Sequence, residues 1–157
     1  LDLGTHLIDL SLWYFGESFT QVYGETKAYF WDMPVEDNAY LTLKTDSGKI
    51  AHLHVTWTEW KNLFSLEITG RKGKLHIEGL GGSYGVERLS FYQMKLEMGP
   101  PDTTIWEWPG PDNSWKTEWY HFLKAINSGE VHCNPGLRST QEVLGVIETI
   151  YEQKNNQ

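Results

Sequence analysis

The stretch Asn38-Ala39-Tyr40-Leu41-Thr42-Leu43-Lys44-Thr45-Asp46-Ser47-Gly48-Lys49-Ile50-Ala51-His52-Leu53-His54-Val55-Thr56-Trp57-Thr58 alternates twice about one turn. Successive side chains of a β-strand point to opposite faces. Ala39, Leu41 and Leu43 therefore share one side, and Asn38, Tyr40, Thr42 and Lys44 the other. Asp46-Ser47-Gly48 supplies the turn. Beyond it Ala51, Leu53, Val55 and Trp57 repeat the apolar side, while His52, His54 and Thr56 repeat the polar one. The stretch predicts an antiparallel hairpin with one dry and one wet face, as in a sheet covered on one side by helices.

Working outward, Thr20 to Phe30 reads as an earlier strand, broken by Trp31-Asp32-Met33-Pro34. After the hairpin, Leu63 to Thr69 alternates with Phe64, Leu66 and Ile68 inward, turns at Gly70-Arg71-Lys72-Gly73 and returns as Lys74 to Glu78. Gly85 to Met94 continues the meander. Gly99 to Ser114 reads as a loop containing a short strand around Thr104 to Trp108. Helical periodicity marks the two ends of the chain. Asp2 to Trp13 is helical and stops at Gly16. Trp115 to Asn127 carries the stripe Trp115, Trp119, Phe122, Leu123 and Ile126, with Ser114 as N-cap. Ser139-Thr140-Gln141-Glu142 has the form of a capping box, opening a helix with the stripe Val143, Leu144, Ile147, Ile150 and Tyr151. Helix, run of strands, then two helices predicts an α+β fold: an open, mostly antiparallel sheet with helices packed on one face. With no internal repeat or long linker, residues 1–157 read as a single domain.

The formal net charge is −8, from 13 Lys and Arg against 21 Asp and Glu, with no basic run. That argues against nucleic acid or an anionic membrane as partner. No apolar run approaches the ~20 residues of a membrane span, and no signal peptide is visible. The lone Cys133 excludes an internal disulfide and fits a reducing compartment, so a cytoplasmic location is expected. The chain begins with Leu1, without a cap, already inside a helical pattern, and reads as a piece of a longer protein. Aromatics reach 14 %, with 8 Trp, implying wide packing surfaces or sugar-stacking surfaces.

Most motifs have a plain structural reading. Gly79-Leu80-Gly81-Gly82-Ser83-Tyr84-Gly85 has Tyr84 where a dinucleotide fingerprint needs its third glycine, and a strand-like segment follows. It reads as a turn. His52 and His54 share a strand face but lack a third ligand nearby, so they read as polar-face residues. Cys133, beside His132, has no visible base-and-orienter set. Trp106 and Trp108 read as core or interface before sugar platform.

The first helix differs. At about 100° per residue, Asp2, His6, Asp9 and Trp13 fall on one face. Leu3, Leu7, Leu10 and Tyr14 make a second face, and Ile8 and Leu12 a third. Two readings of the acid–imidazole–acid stripe stand: a surface salt-link of His6 to Asp2 or Asp9, or a proton-transfer site. An imidazole with a pKa near about 6.5 exchanges protons near neutral pH, and a carboxylate one turn away would raise that pKa and orient the ring. Nothing in the chain could accept a hydride.

The stretch from Leu1-Asp2-Leu3-Gly4-Thr5-His6-Leu7-Ile8-Asp9-Leu10 through Trp13 and Gly16 resembles the D-x-G-x-H-x-x-D…W…G signature of the Gfo/Idh/MocA oxidoreductases, the glucose–fructose oxidoreductase and inositol dehydrogenase family. Ile68-Thr69-Gly70-Arg71-Lys72-Gly73-Lys74-Leu75 resembles that family's I-x-G-x-x-G-x-L turn, and Glu118 to Gly129 with Gly136 to Tyr151 resembles its closing helices. The resemblance implies the C-terminal domain of such an enzyme, an open sheet like that of the glyceraldehyde-3-phosphate dehydrogenase C-terminal domain, without the N-terminal Rossmann domain. It implies His6 as general acid/base and Asp2 as its tuning and orienting acid, while Asp9 and Trp13 match positions for substrate contact or structure. It implies NAD or NADP bound mainly by the absent domain, with hydride passing to or from a hydroxyl or carbonyl of a sugar or polyol. The family's Glu-Lys-Pro lysine is absent, so this piece alone is expected to be inactive. The resemblance also implies a homo-oligomer built through the sheet face, here the face of Tyr40, His52, His54 and Thr56. An alternative is a non-catalytic sheet module for dimerisation or carbohydrate binding. A third reading gathers Asp2, His6, His52 and His54 around a hydrolytic metal, and requires the sheet to pass under the helix.

Overall fold

The computed structural model describes residues 2–129 and 137–155. Its elements are α1 (Asp2–Phe15), β1 (Phe19–Lys27), β2 (Asn38–Thr45), β3 (Ile50–Thr56), β4 (Ser65–Gly70), β5 (Gly73–Glu78), β6 (Glu87–Gln93), β7 (Asp102–Trp108), α2 (Ser114–Ser128) and α3 (Leu137–Asn155). Every strand pairing is antiparallel. The fold is α+β, as the hairpin predicts. The strands divide into two hydrogen-bonded sheets, ordered β1-β2-β3 and β4-β5-β6-β7. Residues 1–58 and 131–157 form one compact unit, and residues 59–130 another.

In the first unit the dry face of the hairpin is the floor of the core. Ala39, Leu41 and Leu43 are buried against Ile8 and Leu12 of α1 and Val143, Val146 and Ile150 of α3. Only the Gly4–Ile8–Leu12 stripe of α1 is fully buried. Leu3, Leu7 and Leu10 are half-buried and Tyr14 is exposed, so the helix has one anchored side rather than two. In α3 the buried stripe is rotated from the expected one: Val146 is buried, whereas Leu144 is exposed. Gly24 lets the layers meet, because a Cβ there would lie 2.7 Å from Ile150 Cγ1.

Side-chain carboxylates explain three departures from the expected boundaries. β1 ends at Lys27 because the Asp37 carboxylate collects the N–H groups of Tyr29, Phe30 and Trp31, at 2.8 to 3.1 Å, and bends the chain out of strand geometry. Ser114 is not the N-cap of α2. Asn113 holds that position without a side-chain cap bond, and Asp112 Oδ1 accepts from the Ser114 N–H at 2.8 Å. The expected capping box does not form, because Ser139 already lies inside α3 and its hydroxyl donates to Asp9 Oδ1. Its Glu142 accepts instead from Ser18 Oγ at 2.8 Å. Gly129 closes α2 at a φ of 66°, the left-handed turn that glycine adopts freely. His132 and Cys133 lie outside the described residues.

In the second unit β7 spans all of Asp102–Trp108, longer than the short strand expected within a loop. Register places Leu66, Ile77, Leu89 and Trp106 in one row and Ile68, Leu75, Phe91 and Thr104 in the next, on one sheet face. The other face carries Glu67, His76, Glu78, Arg88 and Glu107, with ion pairs Lys74–Glu67 at 2.7 Å and Arg88–Glu107 at 2.6 Å. The α2 stripe is exposed along its length, from Trp115 at 80 % to Leu123 at 41 %.

Candidate active site

Helix α1 presents the stripe. Asp2, His6 and Trp13 are exposed, and Asp9 is half-buried. The opposite side of the helix is locked into the core by Ile8 and Leu12, so the exposed groups ride on a fixed support. Among the described residues, neither Asp2 nor Asp9 forms an ion pair with His6, so the surface salt-link is not formed. Asp9 is engaged elsewhere, by Ser139 of α3. Trp13 meets Tyr14 edge-on, with centroids 4.8 Å apart. The helix ends at Gly16, whose N–H donates to the Leu12 carbonyl, and Lys49 Nζ donates to the Phe15 carbonyl at 2.7 Å. Lys49 also pairs with Glu17 at 2.5 Å, and Ser47 Oγ donates to the same carboxylate at 2.6 Å. The Lys49 ammonium and the Ser47 hydroxyl together pull the Glu17 pKa down to about 2.

His52 and His54 lie on the opposite side of the first sheet. They alternate with Leu53, whose side faces the helices, and so the sheet separates them from Asp2 and His6. The four-residue metal reading is corrected on that ground, and no group of three or more ligating side chains occurs among the described residues. The two imidazoles are held individually. His52 Nδ1 meets Thr42 Oγ1 at 3.1 Å. His54 lies parallel to the Tyr40 ring, with centroids 4.5 Å apart, and its Nε2 meets Asn38 Oδ1 at 3.2 Å. Asn38 Nδ2 donates to Asp37 Oδ1 at 3.0 Å and to Thr58 Oγ1 at 3.1 Å. The amide oxygen is thereby the acceptor, and His54 Nε2–H the donor. An open depression of about 770 Å³ lies here, lined by Tyr23, Glu25, Tyr40, Thr42, His52 and His54. It includes neither Asp2 nor His6.

Asp37 is the organising group that the sequence reading missed. It is 1 % exposed. Burial raises its pKa, but the N–H of Trp31, the Asn38 amide and the N–H groups of Tyr29 and Phe30 outweigh that and hold it well below the usual carboxylate range. The available signal was an acid placed after a strand-breaking Asp-Met-Pro and directly before a clean strand.

The glycine-rich turn does not fit a dinucleotide. It leads into β6 rather than a helix, and the Gly81 N–H is taken by Glu87 Oε1 at 3.0 Å, placing a carboxylate where a phosphate would sit. A Cβ at Gly79 would lie 2.4 Å from the Val86 carbonyl oxygen, so this glycine serves the turn's own closure.

Residues 1–76 match the family model of the GFO/IDH/MocA C-terminal domain. This stretch is similar to a GFO/IDH/MocA C-terminal domain. The match covers the α1 stripe and the hairpin, and runs into β5. No curated protein matches the chain in sequence. Among solved structures, an oxidoreductase from Agrobacterium radiobacter in complex with NAD+, L-tartaric acid and magnesium is similar at a TM-score of 0.75 and 20 % identity, over 98 % of this chain and 46 % of that one. UDP-N-acetylglucosamine 3-dehydrogenase GnnA from Acidithiobacillus ferrooxidans is similar at 0.70 and 17 %, over 92 % and 45 %. The WlbA dehydrogenase from Bordetella pertussis, in complex with NADH and UDP-GlcNAcA, is similar at 0.66 and 19 %, over 97 % and 41 %. At these identities the likeness establishes the fold, and the chain spans less than half the length of each neighbour. No helix among the described residues is long and apolar enough to cross a membrane.

Proposed function

We propose that this GFO/IDH/MocA domain is the substrate-side half of a nicotinamide-dependent oxidoreductase acting on a hydroxyl or carbonyl of a sugar or polyol. The observation that carries the reading is the stripe itself: Asp2 and His6 stand exposed one turn apart on a helix whose other side is anchored by Ile8 and Leu12. A fixed imidazole with an open nitrogen suits proton transfer at a substrate oxygen. In the oxidising direction His6 takes the hydroxyl proton as the carbonyl forms, and in the reducing direction it returns it. Asp2, one turn away on the same face, is the acid that orients the ring when substrate is bound. Trp13 offers a flat apolar surface to a sugar ring, and Asp9 reaches substrate from a carboxylate already steadied by Ser139. NAD or NADP is held by a separate N-terminal domain, since the glycine-rich turn here has no place for a pyrophosphate. Residues 1–157 act together as a substrate and oligomerisation domain in the cytoplasm, with copies joined through the face of Tyr40, His52, His54 and Thr56.

The test is His6→Ala in the full-length enzyme. General-base removal costs about 10²-fold or more in turnover, and the limb of the pH–rate profile due to the imidazole should vanish. Turnover within about twofold of the parent, with that limb intact, would remove His6 from the mechanism.

A further inference from the structure

Strand edges in this chain are protected unequally. β1 has a register break between Phe19 and Gln21, and its outer edge is occupied by a side-chain amide. Gly24 N–H donates to Gln153 Oε1 at 3.2 Å, and Gln153 Nε2 donates to the Val22 carbonyl at 2.7 Å. β4 is short, ends at Gly70 and carries a charge, Glu67, in its middle. β7 lacks the register break, the covering amide and the central charge, its two acids standing towards its ends. It contains no proline, lysine or arginine, its pairing with β6 runs without a register shift, and all seven residues are exposed. Among the described residues nothing hydrogen-bonds its outer backbone edge. A long, regular, unguarded edge is a template for another strand.

Charge decides which strand. Two copies of a chain carrying −8 repel unless they meet where acids are neutralised. Both acids of β7 are neutralised within their own unit, Asp102 by Lys95 at 2.5 Å and Glu107 by Arg88 at 2.6 Å. The centre of the strand is Ile105, 54 % exposed, at the end of a row that otherwise reads Glu67, His76 and Ser90. An apolar β-branched residue stands where an edge strand ordinarily places a charge.

We propose that a second copy of this chain pairs with β7, the two β7 strands running antiparallel about a twofold axis through Ile105. The register is then Ile105 to Ile105, Thr104 to Trp106, Thr103 to Glu107 and Asp102 to Trp108, with no acid opposite an acid. Paired positions sum to an even number, so residues whose N–H and C=O point to the open edge always meet residues of the same set. Whichever alternate set faces out, about six to eight backbone hydrogen bonds close the pair. The four-stranded sheet continues into its partner as one sheet. The contact is one strand long, about 24 Å, and below the ~800 Å² per partner of a standard interface. It is accordingly a weak association, distinct from pairing through the face of the first sheet.

The test uses the full chain in sedimentation velocity from about 1 µM to 1 mM, comparing the parent, Ile105→Lys, Ile105→Glu and an equimolar mixture of the two variants. Each variant places like charges directly across the axis and should weaken association by about tenfold or more. The mixture should restore it as a heterodimer, which also establishes that both variants are folded. Where copies also join through the first sheet's face, the variants fall back to that smaller species. A parent that stays monomeric throughout, self-association unchanged in both variants, or a mixture that recovers nothing overturns the proposal.

Discussion

The Ser139 hydroxyl donates to the Asp9 carboxylate and ties α3 to the helix that carries His6. One residue of the family signature is thus a fastener between two helices that lie 130 positions apart in sequence. Ser139→Ala removes the donor alone and should cost about 1.5 to 3 kcal/mol, the range for losing a bond to a charged group. Asp9→Asn keeps the shape and removes the charge. If Asp9 also touches substrate, D9N should raise KM in the full-length enzyme several-fold beyond S139A at matched stability. Equal KM values for the two variants would leave Asp9 as a fastener only.

Asp37 should prove the anchor of the segment between β1 and β2. Three successive N–H groups converge on its carboxylate, and Asn38 completes the set. Asp37→Ala removes the acceptor that these three N–H groups share. Hydrogen exchange should then quicken at Tyr29, Phe30 and Trp31 by well over tenfold, and spread to His54 through the loss of Asn38 orientation. Unchanged protection at Phe30 would refute the anchoring role.

The contrast between these two acids shows what the sequence could disclose. The hairpin was legible because Ala39, Leu41 and Leu43 alternate against a face of Tyr40, Thr42 and Lys44, and one buried side fixes register. The His6 side of α1 was legible because helical spacing alone brings Asp2 and Trp13 to it. Asp37 was harder to read, since its partners are backbone N–H groups and its one trace in the sequence is its place between Asp32-Met33-Pro34 and a clean strand. The misread capping box has a similar cause. Ser139 satisfies the local motif, but a long-range acceptor, Asp9, is available to a serine inside α3. The separation into two sheets also escapes periodicity, which fixes faces and not which strands pair.

Acid should weaken the α1 terminus through Glu17. Its pKa is lowered to about 2 by Lys49 and Ser47, from an ordinary value of 4.5. A depressed carboxylate contributes stability that is complete above its unfolded pKa and is lost as pH falls through the folded one. The loss should therefore run from about pH 4.5 down to about 2. Glu17→Gln should flatten the fall of Tm across that window and lower Tm at pH 7. Parallel Tm curves for parent and variant would show that the pair contributes nothing, the usual result for exposed pairs.

Packing at Gly24 offers the sharpest test of the core. A methyl group there would stand 2.7 and 2.8 Å from the two γ carbons of Ile150 and 3.0 Å from Leu41 Cδ2. Ile150 is 1 % exposed and cannot move outward without opening the α3 contact. Gly24→Ala should therefore destabilise by about 1 to 3 kcal/mol, the range for overpacking a filled site. Ile150→Ala alone should cost about 2 to 5 kcal/mol by leaving a cavity. Combined, the added methyl enters the vacated space, and the double variant should be more stable than the sum of the singles by about 1 kcal/mol or more. Urea unfolding of the four proteins measures that coupling. Strict additivity would mean that α3 does not press on Gly24 as the 2.7 Å approach requires.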